Sequence, residues 1–348
     1  MTEFDTALAE RCANDRAGPV ALSLCQALVP VEGSDAVIFP PTYAGTGYNI
    51  DTLADGTRVA TIDSVGSQAN RMEPVFEEAP YAALVPQVTI TYGNAKSVSI
   101  FRAGHRLGDA LVRSTALAEE VNAAFTTLLD TGDAAPIARL APTSLVFGVW
   151  DSRDTGARLP RIVQSVIRAW DVSDLKRSAQ YFPPINYARE GVLSESQQAR
   201  AEQAGARSGT ENPLAQRGFV PVPATGEPGG IVVHGEIRRN VTVNLVALRR
   251  LGGDDGPILR RYVLGLALVA ASAPLDAFLR QGCLLTPDPD APASWATVNR
   301  NGTRETLTLG HDAALGFARS AAADFGVRES RTVPFETARA RADAAKKS

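Results

Sequence analysis

The chain has 348 residues, 45% of them hydrophobic, and a formal net charge of −3. That is enough apolar sequence for a sizeable core, in two domains or in one elaborated by insertions. The balance excludes a generally basic protein, but a local basic groove depends on where the charge sits. The basic residues are 31 Arg and only 4 Lys. Arginine presents a flat fork that grips phosphate or carboxylate in two places; a GC-rich genome, which favours Arg and Ala together, gives the same skew. Cys12, Cys25 and Cys283 are isolated and odd in number, and the histidines are His105, His234 and His311. No zinc site or other metal or cofactor is expected, and a reducing cytoplasm is implied. The polar, acidic N-terminus does not read as a signal peptide. The most apolar run, Tyr262–Ala271, is shorter than the ~20 residues of a membrane span.

In chain order, residues 1–17 predict a polar helical lead-in and Val20–Val29 a strand stopped by Pro30. The Phe39–Tyr48 stretch, with two prolines, two glycines and two tyrosines, predicts a loop with exposed rings. Arg58–Ile62 predicts a strand feeding a short helix capped by Asp63 or Ser64. Val65, Ala69, Met72 and Phe76 share its apolar side. Ser67 and Arg71 lie opposite, with Gln68 beside Arg71 and Asn70 on the other flank, and Pro74 ends the helix near Glu73. Val88–Tyr92 and Val98–Phe101 predict two strands, followed by one amphipathic helix from Leu107 to Leu128 that Gly132 stops. Ser144–Trp150 predicts a strand, Asp151–Gly156 a polar loop, and Pro160 a helix through Ile167. A further strand is expected near Trp170–Leu175.

From Ser178 to Gly230, Gln, Ser, Gly and Pro accumulate around one polar helix near Ser194–Gly205. This reads as a large excursion rather than a second core. Gly230–Val246 predicts one long or two short strands, and Asp255-Gly256-Pro257 opens a buried helix to about Ala271. A hairpin is expected around Asn301-Gly302, then a last helix over Asp312–Phe325. The tail after Arg331 is expected to fray. Strands and helices mix without regular βα alternation, which favours α+β.

No Gly-x-Ser-x-Gly elbow or phosphate-binding Walker loop is present. Asp151 and Asp154 are candidates for Mg²⁺ binding or acid–base work; salt bridges to Arg153 and Arg158 are the simpler account of them. His105 stands between Arg102 and Arg106, which suits stacking or phosphate contact better than proton transfer. Basic residues recur at junctions: Arg71; Arg102, Arg106 and Arg113; Arg153, Arg158 and Arg161; Lys176 and Arg177; Arg238 and Arg239. Each group alone is an ordinary solvated face. With Tyr43, Tyr48, Tyr181 and Phe182 exposed, together they suit single-stranded nucleic acid, which wants phosphate clamps and flat stacking surfaces.

Pro40-Pro41-Thr42-Tyr43, the run Asp63-Ser64-Val65-Gly66-Ser67-Gln68-Ala69-Asn70-Arg71-Met72-Glu73, the Gly104–Ser114 segment and Ser144–Arg161 resemble the RAMP-superfamily backbone subunit of type I-G (formerly I-U) CRISPR Cascade complexes. The resemblance spans about residues 20–310. It implies an RRM-like (ferredoxin-like) palm over residues 1–330 with a finger and a thumb, for which residues 39–57 and 178–230 are the candidates, and a flexible tail at 331–348. It implies copies stacked head to tail along one CRISPR RNA, pairing with target DNA through the guide. The partners would be other Cascade subunits and a separate helicase–nuclease, with no catalysis by this chain and no membrane. Ser67, Gln68 and Arg71 would face RNA, with Asn70 to one side. Related backbone subunits of type III complexes cleave target RNA with a loop aspartate, which makes a metal-dependent ribonuclease using Asp151 or Asp154 the alternative.

Overall fold

The computed structural model describes residues 2–197, 199 and 213–345. β1 (Thr2–Glu3) precedes a helix, Thr6–Ala13, capped by Asp5. β2 (Ala21–Pro30), β3 (Ile50–Thr52) and β4 (Arg58–Asp63) follow. β4 runs into the Val65–Met72 helix, whose cap is Ser64: its Oγ accepts from the Ser67 backbone N–H at 3.3 Å. Pro74 has no N–H to continue the ladder, and the chain tightens into a 3₁₀ turn over Glu73–Glu77.

β5 (Val88–Tyr92) and β6 (Lys96–Ser99) form a hairpin. Short helices then lead to β7 (Val149–Trp150), β8 (Arg158–Leu159) and β9 (Val163–Trp170). β10 (Val172–Tyr181) and β11 (Val222–Val233) pair with each other, Ile231 of β11 is also bridged to Ile38, and β12 (Ile237–Asn244) returns beside β9. The buried Gly256–Ser272 helix precedes β13 (Ala277–Arg280), β14 (Cys283–Pro287), β15 (Ser294–Val298) and β16 (Arg304–Thr308). The His311–Phe325 helix, β17 (Arg331–Pro334) and the Thr337–Ala344 helix complete the chain.

Ten strands form one sheet in the order β1-β16-β15-β2-β12-β9-β4-β3, with the β13–β14 hairpin attached to β2. The five central strands, β15 to β4, are antiparallel throughout. Helices cover one face. Gly265 lets the Gly256–Ser272 helix meet the His311–Phe325 helix closely, since a Cβ there would sit 2.8 Å from the Ala318 Cα.

The buried face of the sheet carries two apolar clusters. Leu22, Leu24, Val163, Val241 and Val243 belong to the larger, and Leu28, Ala60, Ile167, Ala169 and Ile237 to the smaller. Between them each strand contributes one polar residue: Gln26 from β2, Arg239 from β12 and Ser165 from β9. These form a polar seam across the core.

The architecture is mixed α+β, as expected. Several local expectations are corrected. The helix expected from Leu107 to Leu128 is broken: Arg106–Gly108 is a 3₁₀ turn, Ala110–Arg113 one short helix, and Ala118–Thr131 the next, stopped by left-handed Gly132. Thr115 interrupts it, its hydroxyl donating to the Val112 carbonyl at 2.7 Å. The expected Ser144–Trp150 strand is a fully buried helix, Thr143–Phe147, plus β7. The helix expected after Pro160 is strand β9. Val98–Phe101 is strand only to Ser99, then a 3₁₀ turn. The tail does not fray as far as Ala345: β17 adds in parallel to β5, and Arg328 and Arg331 reach Glu120 at 2.7 and 2.6 Å. The polar helix expected near Ser194–Gly205 falls largely outside the described residues. Among the described residues no helix is long and apolar enough to cross a membrane.

Candidate nucleic-acid interface

The Val65–Met72 helix buries Ala69 and Met72 against the sheet, as its spacing requires. Its polar side divides. Ser67 is half-buried and Asn70 exposed, and Gly66 opens onto free space. Gln68 is fully buried, which corrects its expected place facing RNA: its amide donates to Asp63 at 2.6 Å and accepts from the Ser165 hydroxyl at 2.6 Å. Arg71 is likewise engaged, donating to Asp63 at 3.1 Å and to the carbonyls of Phe278 and Leu279 at 3.2 and 2.8 Å. Arg239 donates to Ser165 at 3.2 Å and Gln26 at 3.3 Å. One directed chain of donors thus runs from Arg239 through Ser165 and Gln68 to Asp63. Arg239 is 2% exposed, and burial pushes its guanidinium down to about 10. It is a seam residue and not a surface clamp.

The second arginine group is mostly structural. Arg106, with φ of +53°, is 4% exposed. It pairs with Glu73 at 2.7 Å, donates to the Gly148 carbonyl and lies over the Phe147 ring. Burial pushes the Glu73 carboxyl up to about 7 against the pull of Arg106. Arg113 is buried among Asp151, Asp154 and, more distantly, Asp343 at 3.9 Å. Asp151 is fully buried and its two oxygens are held by Arg113 and by the Thr155 backbone and hydroxyl. Arg153 reaches Asp343 at 3.5 Å and Arg102 reaches Glu77 at 3.0 Å. Arg161 is half-buried.

His105 and Arg158 stay at the surface. The turn carrying His105 packs on β7 through Gly108, whose Cβ would strike the Trp150 carbonyl at 2.6 Å. Trp150 is 57% exposed with the Arg158 guanidinium 5.7 Å from its ring centre. Aromatic rings so placed stack on bases regardless of sequence. The loop over residues 39–48 does not display its rings: Tyr43 and Tyr48 are half-buried, and the Tyr48 hydroxyl accepts from the Gly230 N–H at 3.0 Å.

The β10–β11 hairpin continues the central β9–β12 pair as an arm. The elbow between them is Asp171, with φ of +54°, whose carbonyl accepts from the His234 N–H at 2.8 Å. Arg58 ties the arm's base to Asp174 at 2.9 Å. Beyond it Lys176, paired with Asp174 at 3.3 Å, and Arg177 are exposed. The far end carries Tyr181, Phe182 and Ile185 at 46%, 64% and 50% exposure. At the elbow Arg238 lies over the Trp170 ring, 5.6 Å from its centre, and also pairs with Glu236.

The expected residues therefore sort into three sets. Asn70, Arg102, His105, Arg153, Arg158, Lys176 and Arg177 are exposed, Ser67, Arg71, Arg161 and Arg238 are half-buried, and Gln68, Arg106, Arg113 and Arg239 are inside the protein. Trp150, Trp170 and Arg168, which stands opposite Arg238 on β9, were not singled out by the sequence. Burial alternates over Val163–Trp170, but buried Ser165 and outward Val166 and Trp170 hide that alternation in the sequence. Among the described residues no three His, Cys, Asp or Glu side chains gather to hold a metal ion.

No curated protein matches the chain. Residues 22–174, which run from β2 through β4, the Val65–Met72 helix and β9 to the base of the arm, match the family described as CRISPR-associated protein GSU0053, and the similarity associates this chain with the CRISPR-associated proteins.

Proposed function

We propose that the chain is a non-catalytic backbone subunit of a Cascade-type complex, binding CRISPR RNA in several copies along the guide. The observation that carries this reading is the arm. A two-stranded lever that leaves the centre of the sheet, basic at its base and aromatic at its end, suits a device that crosses a nucleic-acid strand and meets the next copy. Its residues 178–230 serve as thumb, residues 39–57 as finger, and the sheet with helices on one side as an RRM-like palm of one domain. Ser67, Asn70 and the open N-terminal turn at Gly66 supply phosphate contacts, since free helix N–H groups favour anions. His105 and Arg158 with Trp150 supply a second contact patch. Head-to-tail contacts that do not close make a filament, and base pairing by the guide supplies specificity for target DNA. Other Cascade subunits and a helicase–nuclease complete the assembly. Asp151 is spent on Arg113 and Thr155, which supports a structural role over a catalytic one.

Protein expressed with its CRISPR array is expected to purify with RNA, seen in its ultraviolet absorbance, and to release it steeply as salt rises. RNA-free protein from that experiment would overturn the reading. Intact RNA after incubation with Mg²⁺ is expected; cleavage lost in Asp154→Ala or Asp151→Ala would replace the backbone role with the ribonuclease.

A further inference from the structure

Arg168 and Arg238 are Cα partners across β9 and β12, on the face of the sheet that carries no helices. Thr61 and Ala27 continue their row on β4 and β2. A second row on the same face holds Gln164, Thr242 and Ser23. All seven are half-buried or exposed. On this face the five strands β15, β2, β12, β9 and β4 carry no carboxylate, although the chain has 38 Asp and Glu. Strands spaced ~4.8 Å apart make this a platform roughly 20 Å across.

Two like charges directly opposed across a strand pair are destabilising. Arg238 is partly relieved by Glu236, which stands beyond the end of the strand, and by Trp170. Its Nε is buried with no hydrogen-bond partner. Arg168 makes no ion pair with any described carboxylate. The paired arginines are thus arranged for an anion that comes from outside, and the hydroxyls and amides beside them suit phosphate and sugar oxygens.

We propose that this open face is a binding track for the sugar–phosphate backbone of single-stranded nucleic acid, separate from the Ser67–Asn70 turn and the arm. The proposal rests on the nucleic-acid-binding reading above. The strand is either the guide RNA itself or a DNA strand recruited to it. Asn240, Cys25 and Val166 stand between the two rows, and the neutral donors around the arginines favour a flexible polyanion over a rigid acidic protein surface.

The test uses the full chain and fluorescence anisotropy with labelled oligouridylate and oligothymidylate, on free protein and on protein already loaded with guide RNA. Thr242→Glu with Gln164→Glu places charge on two exposed side chains without entering the core; Ser320→Glu, on the exposed side of the His311–Phe325 helix, is the control. The double variant is expected to weaken binding at least about tenfold at an unchanged melting temperature. Arg168→Ala is expected to lower the salt slope by about one. Loss for oligouridylate on free protein assigns the track to the guide. Loss confined to oligothymidylate on loaded protein assigns it to a recruited strand. A double variant that binds both probes like the Ser320→Glu control overturns the proposal and leaves the RNA-binding reading standing. Wild-type protein that binds neither probe overturns both. Displacement of the probes by polyglutamate at equal charge would assign the face to an acidic protein and also overturn it.

Discussion

Arg238 and Arg239 are consecutive residues that a strand turns to opposite faces of one sheet. Arg238 faces outward beside Arg168, over a tryptophan, with Glu236 beyond the strand end as its carboxylate partner. Arg239 faces inward, almost wholly buried, in a seam of Gln26, Ser165, Gln68 and Asp63. The same residue types serve both faces, and their surroundings decide what they do. Inside, the Nε and Nη1 of Arg239, the Ser165 hydroxyl and the Gln68 amide are spent on fixed neighbours, so the seam specifies how β2, β12, β9 and the Val65–Met72 helix register. Outside, donors are left for a ligand.

If that contrast holds, the largest effects come from breaking the inner face. Asp63→Ala removes the acceptor at the end of the donor chain and leaves Gln68 and Arg71 without it; a loss of about 3 kcal/mol is expected in urea unfolding. A loss below the error of the measurement would mean the seam is incidental. Arg239→Met exchanges a buried cation that has no carboxylate partner for an apolar chain of similar length. Stability is expected to hold or rise by about 1 kcal/mol, and a large loss would show the guanidinium itself to be required.

Glu73 gives a pH test of the interior. Its carboxyl is held at about 7 in the fold against 4.5 in the unfolded chain, with burial as the main cause. Between those values the folded protein keeps a proton that the unfolded chain has lost. The contribution is therefore most favourable below 4.5 and declines as pH rises through 7. Melting temperature is expected to fall by roughly 2–6 °C between pH 5 and pH 8, and Glu73→Gln to flatten that fall. An unchanged slope in the variant would assign it to other groups.

The outer face is expected to give the smallest change in stability. Arg168→Ala should alter unfolding free energy by no more than about 0.5 kcal/mol, with any change toward greater stability, because it removes a like-charge pair. A loss above about 1 kcal/mol would place Arg168 among the structural residues and erase the distinction between the faces.

The two faces were unequally legible in the sequence. The Val65–Met72 helix, its cap, its apolar side and its stop at Pro74 are local features and were readable. So were the Asn301-Gly302 hairpin and the Gly256–Ser272 helix. β9 was not, because its buried positions are Val163, Ser165, Ile167 and Ala169, while Val166 and Trp170 lie on the open side. A buried serine and outward apolar residues blur the alternation, and Pro160 followed by apolar residues at 162, 163, 166 and 167 imitates a helix. Thr143–Phe147 is buried on every side, so it lacks the polar stripe that separates a helix from a strand. The partners of Arg71, Arg106 and Arg113 sit eight or more residues away or across the fold, and spacing alone does not reveal them.

The elbow at Asp171 has a mechanical consequence. β10 spans ten residues, so at a rise of ~3.3 Å each the arm is roughly 30 Å long. A ten-degree turn about the elbow moves its far end by about 5 Å, comparable to the ~4.8 Å between neighbouring strands. A left-handed aspartate stores about 1–2 kcal/mol relative to ordinary backbone, but Val172 and Ile231 just past it are buried in the smaller apolar cluster and Arg58 holds Asp174, so such a turn also repacks the base of the arm. Under the proposed backbone role, that cost would set how far Tyr181 and Phe182 can be re-aimed toward a neighbouring copy.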